Sequence, residues 1–244
     1  MKKSLFREKG EDMKHFLIII FLFLLSSNFY AQQVGLSFMF GNPQGEFRSN
    51  VDRMGFGGQL QGTFWTPTEE MPYTIGFDLG YLVYGQVDER RPWVGFPGVY
   101  LNLSRTNSLA NLHLLMQVSP FFGTVRPYLE GLFGGSYIFT QSSVKGDYQD
   151  EDIASTTNFD DFTWNYGGGV GILFKITGEL ENIDAIYLDF KSRYLYGTNA
   201  EYLTEESLIG IDNNGNPIFQ TKKSTTDFLS FHIGVIVNLN LMSD

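Results

Sequence analysis

Cysteine is absent from the 244 residues. That excludes a disulfide framework, a thiolate metal site and a lipid anchor carried on cysteine. Charge is scarce as well, at 18% of residues, and acid outnumbers base, 27 to 17, for a formal charge of −10. A chain this acidic lacks the basic face that nucleic-acid binding requires, so no nucleic-acid partner is expected. Long apolar runs are missing too. The one unbroken stretch, Phe16 to Leu25 (FLIIIFLFLL), covers ten residues, against about 20 for a helical membrane span. What is plentiful is aromatic and small: 23 Phe, 13 Tyr and 27 Gly, at a mean hydropathy near zero. Two unlike faces that cancel in the average give this composition, as in a membrane barrel.

The N-terminus reads as a targeting segment. Lys2, Lys3, Arg7, Lys9 and Lys14 precede the apolar run, and Ser26 to Gln32 (SSNFYAQ) follows it. This is the basic, apolar and polar order of a secretory signal peptide, with the cut expected after Ala31. Met13 offers a second start with a compact basic region. The expected division is therefore 1–31 as signal peptide and 32–244 as one domain.

From Gln32 onward period-2 alternation recurs, without convincing helical periodicity. It predicts eight strands, near 33–41, 54–66, 73–87, 100–118, 126–142, 162–176, 185–197 and 226–242. The connections after the even-numbered strands are short. Those after the odd-numbered ones are long: 42–53, 88–99, 143–161 and 198–225. Short turns at one end and long loops at the other are the asymmetry of an outer-membrane barrel, and an even count puts both chain ends at the short-turn side.

Alternation also separates two faces. In the eighth predicted strand Leu229, Phe231, Ile233, Val235, Val237, Leu239 and Leu241 oppose Ser230, His232, Gly234, Ile236, Asn238 and Asn240. In the seventh Ile186, Leu188, Phe190, Tyr194 and Tyr196 oppose Asp189, Lys191 and Arg193. A half-buried soluble sheet alternates in the same way, and a lipocalin-like carrier would turn the apolar face inward. Two features favour lipid outside. The apolar faces hold almost no charge over about 9–11 residues, the length a tilted strand needs to cross a bilayer. Aromatics also gather toward both strand ends, as interfacial girdles do. The fold class read from these patterns is all-β: an eight-stranded antiparallel up-and-down transmembrane barrel of the outer membrane, with membrane lipid as its surroundings.

Such a barrel is just wide enough for side chains to fill it. Asp78, Glu130 and Asp189 fall at similar depth, with Lys191 and Arg193 above them and His113 among the inward positions. They are expected to form a structural polar network, with Asp189 or Glu130 paired to Lys191 or Arg193. Gly167, Gly169 and Gly171 face inward beside them, leaving room for Tyr187, Lys191 and Arg193. The acidic segment Lys145 to Asp152 fits no calcium-loop spacing, and Asp212 to Pro217 reads as a hairpin turn. No metal site or cofactor is expected. Nor is an enzyme: Ser230 precedes His232, whose parity points inward, and the sequence shows no credible set of a nucleophile with an adjacent base.

Two segments carry a family resemblance. Phe40 to Phe47 (FGNPQGEF) is similar to a G-x-P-x-G-x-F opening, and Arg126 to Gly135 (RPYLEGLFGG) to an R-P-Y-x-x-x-G-x-G strand. Both resemble the outer-membrane barrel family abundant in Bacteroidetes, related in shape to OmpA, OmpX and the opacity proteins. The likeness spans most of 32–242 and implies fold rather than activity. The expected function is structural or adhesin-like. A surface protein or matrix partner would bind through 143–161 and 198–225. The alternatives are an accessory part of an export machine or a narrow path for solute or ions.

Overall fold

A computed structural model describes residues 32–92, 100–146, 152–177, 182–211 and 217–240. The expected signal peptide, the tip of the acidic segment at 147–151 and the turn at 212–216 lie outside the described residues. Eight long strands close a barrel: β1 (Gln33–Pro43), β2 (Gly55–Thr63), β3 (Tyr73–Pro92), β4 (Tyr100–Val118), β5 (Val125–Gly146), β6 (Asp152–Thr177), β7 (Ile183–Gly197) and β12 (Phe228–Leu239). All neighbours are antiparallel. β1 seals against β12 from Gln33 opposite Asn238 to Pro43 opposite Phe228. Closure leaves no edge within the wall, the condition that lipid imposes on a sheet.

The wall is inside-out relative to a soluble protein. Leu36 and Phe38 are 67% and 75% exposed on the outer face, while Asp78 and Arg193, one on each of two inward faces, are 2% and 3% exposed. Apolar side chains point outward in every barrel strand, and aromatic pairs band the wall. Tyr166, Tyr194 and Tyr196 cluster toward the long-loop end, and Phe64 lies edge-on to Phe77 toward the short-turn end. An apolar outer belt over a polar interior places the wall in lipid.

Three departures from the predicted elements have a common cause, since pairing with a neighbour extends a strand past its alternating core. β3 runs on to Pro92, β5 to Gly146, and β6 begins at Asp152. Residues 88–92 of the predicted loop at 88–99, and most of that at 143–161, are therefore ladder. β2 leaves β3 at Phe56 opposite Val83, and β7 leaves β6 at Asn165 opposite Gly197. Above those points β3, β4, β5 and β6 continue alone as a four-stranded sheet. From Thr140 to Gly146 it adds about 20 Å of strand beyond the aromatic belt.

The first long connection holds α1 (Gly45–Asn50), six residues and too short to register as helical periodicity. Gly45 enters it at φ +55°, a left-handed geometry that glycine adopts without strain. The last long connection folds on itself. β8 (Asn199–Tyr202) pairs β11 (Lys222–Thr225), and β9 (Leu208–Ile211) pairs β10 (Pro217–Phe219). A single turn of 3-10 helix at Glu205–Ser207 joins them, its Thr204 and Ser207 bonded reciprocally as a capping box.

Candidate functional site

The interior is built in three levels, each from inward positions of several strands. The middle level is ionic. Arg193 on β7 donates from Nη1 to Asp78 Oδ2 on β3 at 2.9 Å and from Nη2 to Glu130 Oε2 on β5 at 3.0 Å. Its Nε reaches the other oxygen of Glu130, so the guanidinium grips that carboxylate with two parallel bonds. Lys191 pairs with Asp189 at 3.2 Å and donates to Gln61. Gln59 donates to Asp78 and, at 3.4 Å, to Gln61 Oε1. Ser37 on β1 donates to Gln59 at 3.3 Å.

His113 joins the group from β4. Its Nδ1 lies 3.7 Å from Asp78 Oδ1, and its Nε2 is 2.8 Å from Asn165 Oδ1. Asn165 donates to Ser136 at 2.6 Å, and Ser136 donates to Asn111 at 2.7 Å. Tyr128 donates to Asp189 Oδ1 at 2.7 Å. The structure thus brings Asp78, Glu130, Asp189, Lys191, Arg193 and His113 into one connected network. It reaches every barrel strand except β12, which carries its own Ser230–His232 hydrogen bond of 2.8 Å. Buried charges are tolerated when paired and hydrogen-bonded in this way.

Glycine spacing on β6 makes the room, though partly for other residues than Tyr187, Lys191 and Arg193. A Cβ on Gly169 would lie 2.9 Å from Arg193 Cγ and 2.8 Å from Glu130 Oε1. One on Gly171 would strike the Tyr128 ring at 2.3 Å, and Gly167 packs against the β7 backbone at Tyr194. Tyr128, not Tyr187 or Lys191, occupies the space over Gly171. An aromatic ring laid over a strand glycine repairs the packing the glycine forgoes.

An apolar cluster lies above this level and another below it, each beside buried polar side chains such as Asn107 above and Gln117 below. At the lower end Tyr128, Leu173, Ala185, Tyr187 and Ile236 form one buried cluster, and the Arg126 guanidinium lies 4.9 Å from the Tyr187 ring centre. At the mouth α1 folds inward and Phe47, 0% exposed, inserts among Tyr84, Tyr202 and Phe228. Its ring centre lies 5.7 Å from that of Tyr84 and 4.9 Å from that of Tyr202, both edge-on. Met39, Leu82, Leu109 and Ile138 complete this cluster. Tyr202 also bonds Ser224 at 2.6 Å and accepts from Asn50 at 2.9 Å. Burial raises its hydroxyl above the ordinary tyrosine pKa, and those two hydrogen bonds oppose the rise.

Sequence reasoning placed the ionic residues on one face but missed Phe47, which ends the family-like opening segment, and the shared role of Gln59 and Gln61. Parity alone would have put both amides inside with Asp78. It could not have shown that a loop residue turns back into the lumen. Among the described residues no group of three or more His, Asp or Glu side chains could hold a metal ion. Ser230 and His232 form a buried pair, but His232 Nδ1 has no hydrogen-bond partner.

No family model matches the sequence, and no curated protein matches it. Among solved structures the chain is similar to a major outer membrane protein from Thermus thermophilus, at 15% identity and a TM-score of 0.40, over 85% of this chain and 98% of that one. It is similar to Neisserial surface protein A at 13% identity and a TM-score of 0.36, over 85% and 96%. It is also similar to Ail, the attachment invasion locus protein of Yersinia pestis, at 10% identity and a TM-score of 0.35, over 84% and 95%.

Proposed function

We propose that this is an outer-membrane barrel of the Bacteroidetes type that acts through what its outer end touches, not through what passes along its axis. The observation that carries the reading is the filled lumen. An ionic network lies between two apolar layers, and Phe47 closes the mouth from the loop side. An ion moving along the axis would have to displace Phe47 and then separate Arg193 from two carboxylates. A path for solute is therefore the weaker alternative, and nothing in the lumen supports a catalytic role.

The outer end is correspondingly elaborate. Four strands project beyond the aromatic belt, and the small ladders of 198–225 lean on them. Thr198 N–H donates to Trp164 O at 2.8 Å, and Glu201 N–H donates to Asp161 Oδ2 at 2.7 Å. A rigid exposed sheet with flanking loops suits adhesion to a surface protein or matrix. The binding expected of 143–161 and 198–225 falls, in this reading, to the upper ends of β5 and β6 together with β8 to β11. The signal peptide belongs to the same proposal, with the mature barrel starting at Gln32.

Two measurements test the reading. Protein taken from the outer-membrane fraction should have the mass of a chain beginning at Gln32 and show no steady conductance in planar bilayers. A large, stable conductance would refute the sealed lumen. Trimming 141–157 and 205–221 to short turns should leave the heat-dependent shift in gel mobility and abolish attachment of whole cells to matrix-coated surfaces. Unchanged attachment would refute the surface role.

A further inference from the structure

Beside the plugged mouth lies a cavity of about 350 Å³ that opens to the outside. It is lined by the end of α1 and the residues after it, by Tyr84 and Asn107 on the walls of β3 and β4, and by Thr204 to Glu206. The size falls in the range of small-molecule sites, and barrel mouths are a recurring place for them. Only the base of the projecting sheet reaches this cavity, through Tyr84 and Asn107; its upper strands do not, so the inference stands apart from the adhesion reading.

The lining selects against ions of either sign. Arg53 is the only cation among the lining residues, and its Nη1 is engaged by Glu205 Oε1 at 2.8 Å. That same carboxylate oxygen accepts the Gln86 backbone N–H at 3.2 Å. The lining thus offers no unengaged cation to meet a phosphate, sulfate or sugar acid. Asp52 and Glu206 stand exposed at the rim, where water screens them and weakens any hold on a small cation.

Most of the remaining lining is short and forms hydrogen bonds in both senses: the hydroxyls of Ser49 and Thr204 and the amides of Asn50 and Asn107. Mixed donors and acceptors around a compact space match a ligand whose own groups are both donor and acceptor. Tyr84, almost fully buried against Phe47, backs the cavity, and its hydroxyl donates to Leu203 O at 3.4 Å.

The site is also pre-organised. Asn107 Oδ1 accepts from Thr140 at 2.8 Å, and Asn50 donates to Tyr202 at 2.9 Å. The 204–207 turn is locked by its capping box. Groups already fixed lose little entropy when a ligand arrives. From this we infer that the mouth cavity is a binding site for one uncharged sugar ring.

The test uses the full-length protein in a detergent without a sugar headgroup, read by saturation-transfer NMR. The probes are the methyl glycosides of glucose, galactose, mannose and N-acetylglucosamine. At least one should show transfer, with a dissociation constant of order 1 mM. Ser49→Trp, which places a large ring in the opening, should reduce that transfer at least tenfold. Thr156→Trp, on the projecting sheet, should leave it unchanged. Lactose and chitobiose then separate two sources of the same chemistry: a glycan terminus keeps binding as a disaccharide, and a free sugar does not. Silence from all four glycosides, transfer that survives Ser49→Trp, or stronger transfer from tetramethylammonium would each overturn the inference. Because 205–221 includes Glu205 and Glu206 of the lining, the two readings are separated by a variant trimmed at 141–157 alone, which should lose attachment and keep sugar transfer.

Discussion

Arg193→Leu is expected to destabilise the barrel by about 3–5 kcal/mol, the usual consequence of removing one partner from a buried ionic group. The reason is in the geometry. Arg193 bonds both oxygens of Glu130 and shares one oxygen of Asp78 with Gln59, and the three charged side chains are almost fully buried. Leucine fills similar volume but takes from Glu130 its bidentate partner and from Asp78 its closest cation, leaving Lys191 and His113 to offset both carboxylates from farther away. The carboxylates must then neutralise or draw water into the lumen, and either loosens the packing of β3, β5 and β7. The triple change Arg193→Leu, Asp78→Asn and Glu130→Gln removes the charges together with their partner. It should recover more than half of the loss, because replacing a whole buried ionic group is often close to neutral. Urea unfolding in lipid vesicles, followed by tryptophan fluorescence, measures both variants. If Arg193→Leu matched the wild type, the middle level would have to be hydrated rather than dry.

Phe47→Ala is the second large effect, of a different kind. Truncating a fully buried phenylalanine ordinarily costs about 3–5 kcal/mol, part transfer and part cavity. Here the residue sits on a six-residue helix between two strands that are paired on their own account. The damage should therefore stay local. The connection 44–54 would undock while the closed ladder below remains, since local opening is set by local burial. The expected outcome is rapid protease cleavage near Arg48 or Arg53, with little change in the global urea midpoint. Conductance should stay absent, because the Arg193 network still fills the lumen. Should Phe47→Ala open a steady pore, the aromatic plug and not the ionic level would be the seal. Should the segment stay protease-resistant, the plug would be incidental to how the loop is held.

The two effects differ in how far they could be foreseen. The ionic level was legible because a strand has an exact period of two. Asp189, Lys191 and Arg193 share a parity on β7, as do Asp78 on β3 and Glu130 on β5, and closure forces all of these inward. Which carboxylate Arg193 grips was not legible, because that depends on the stagger between strands, and stagger is a property of the closed sheet. The aromatic plug was invisible for a related reason. Phe47 lies in no alternating segment, so nothing local says that its loop turns back into the mouth.

The projecting sheet shows the same division. Asp160 and Asp161 mark polar sequence, and polar sequence after a strand reads as loop. In the structure they continue β6, because β5 rises alongside and satisfies their backbone groups. By itself the sequence determined that this chain alternates, which face is apolar, how many strands cross, and that both ends lie at the short-turn side. Those properties need only the period of a strand and the positions of its turns. Tertiary structure alone decided that the lumen carries packed side chains at three levels, that four strands outlast the other four, and that the mouth keeps a polar cavity beside its plug. Each of these depends on contacts between residues far apart in the chain, whose relative height is set only when β1 meets β12.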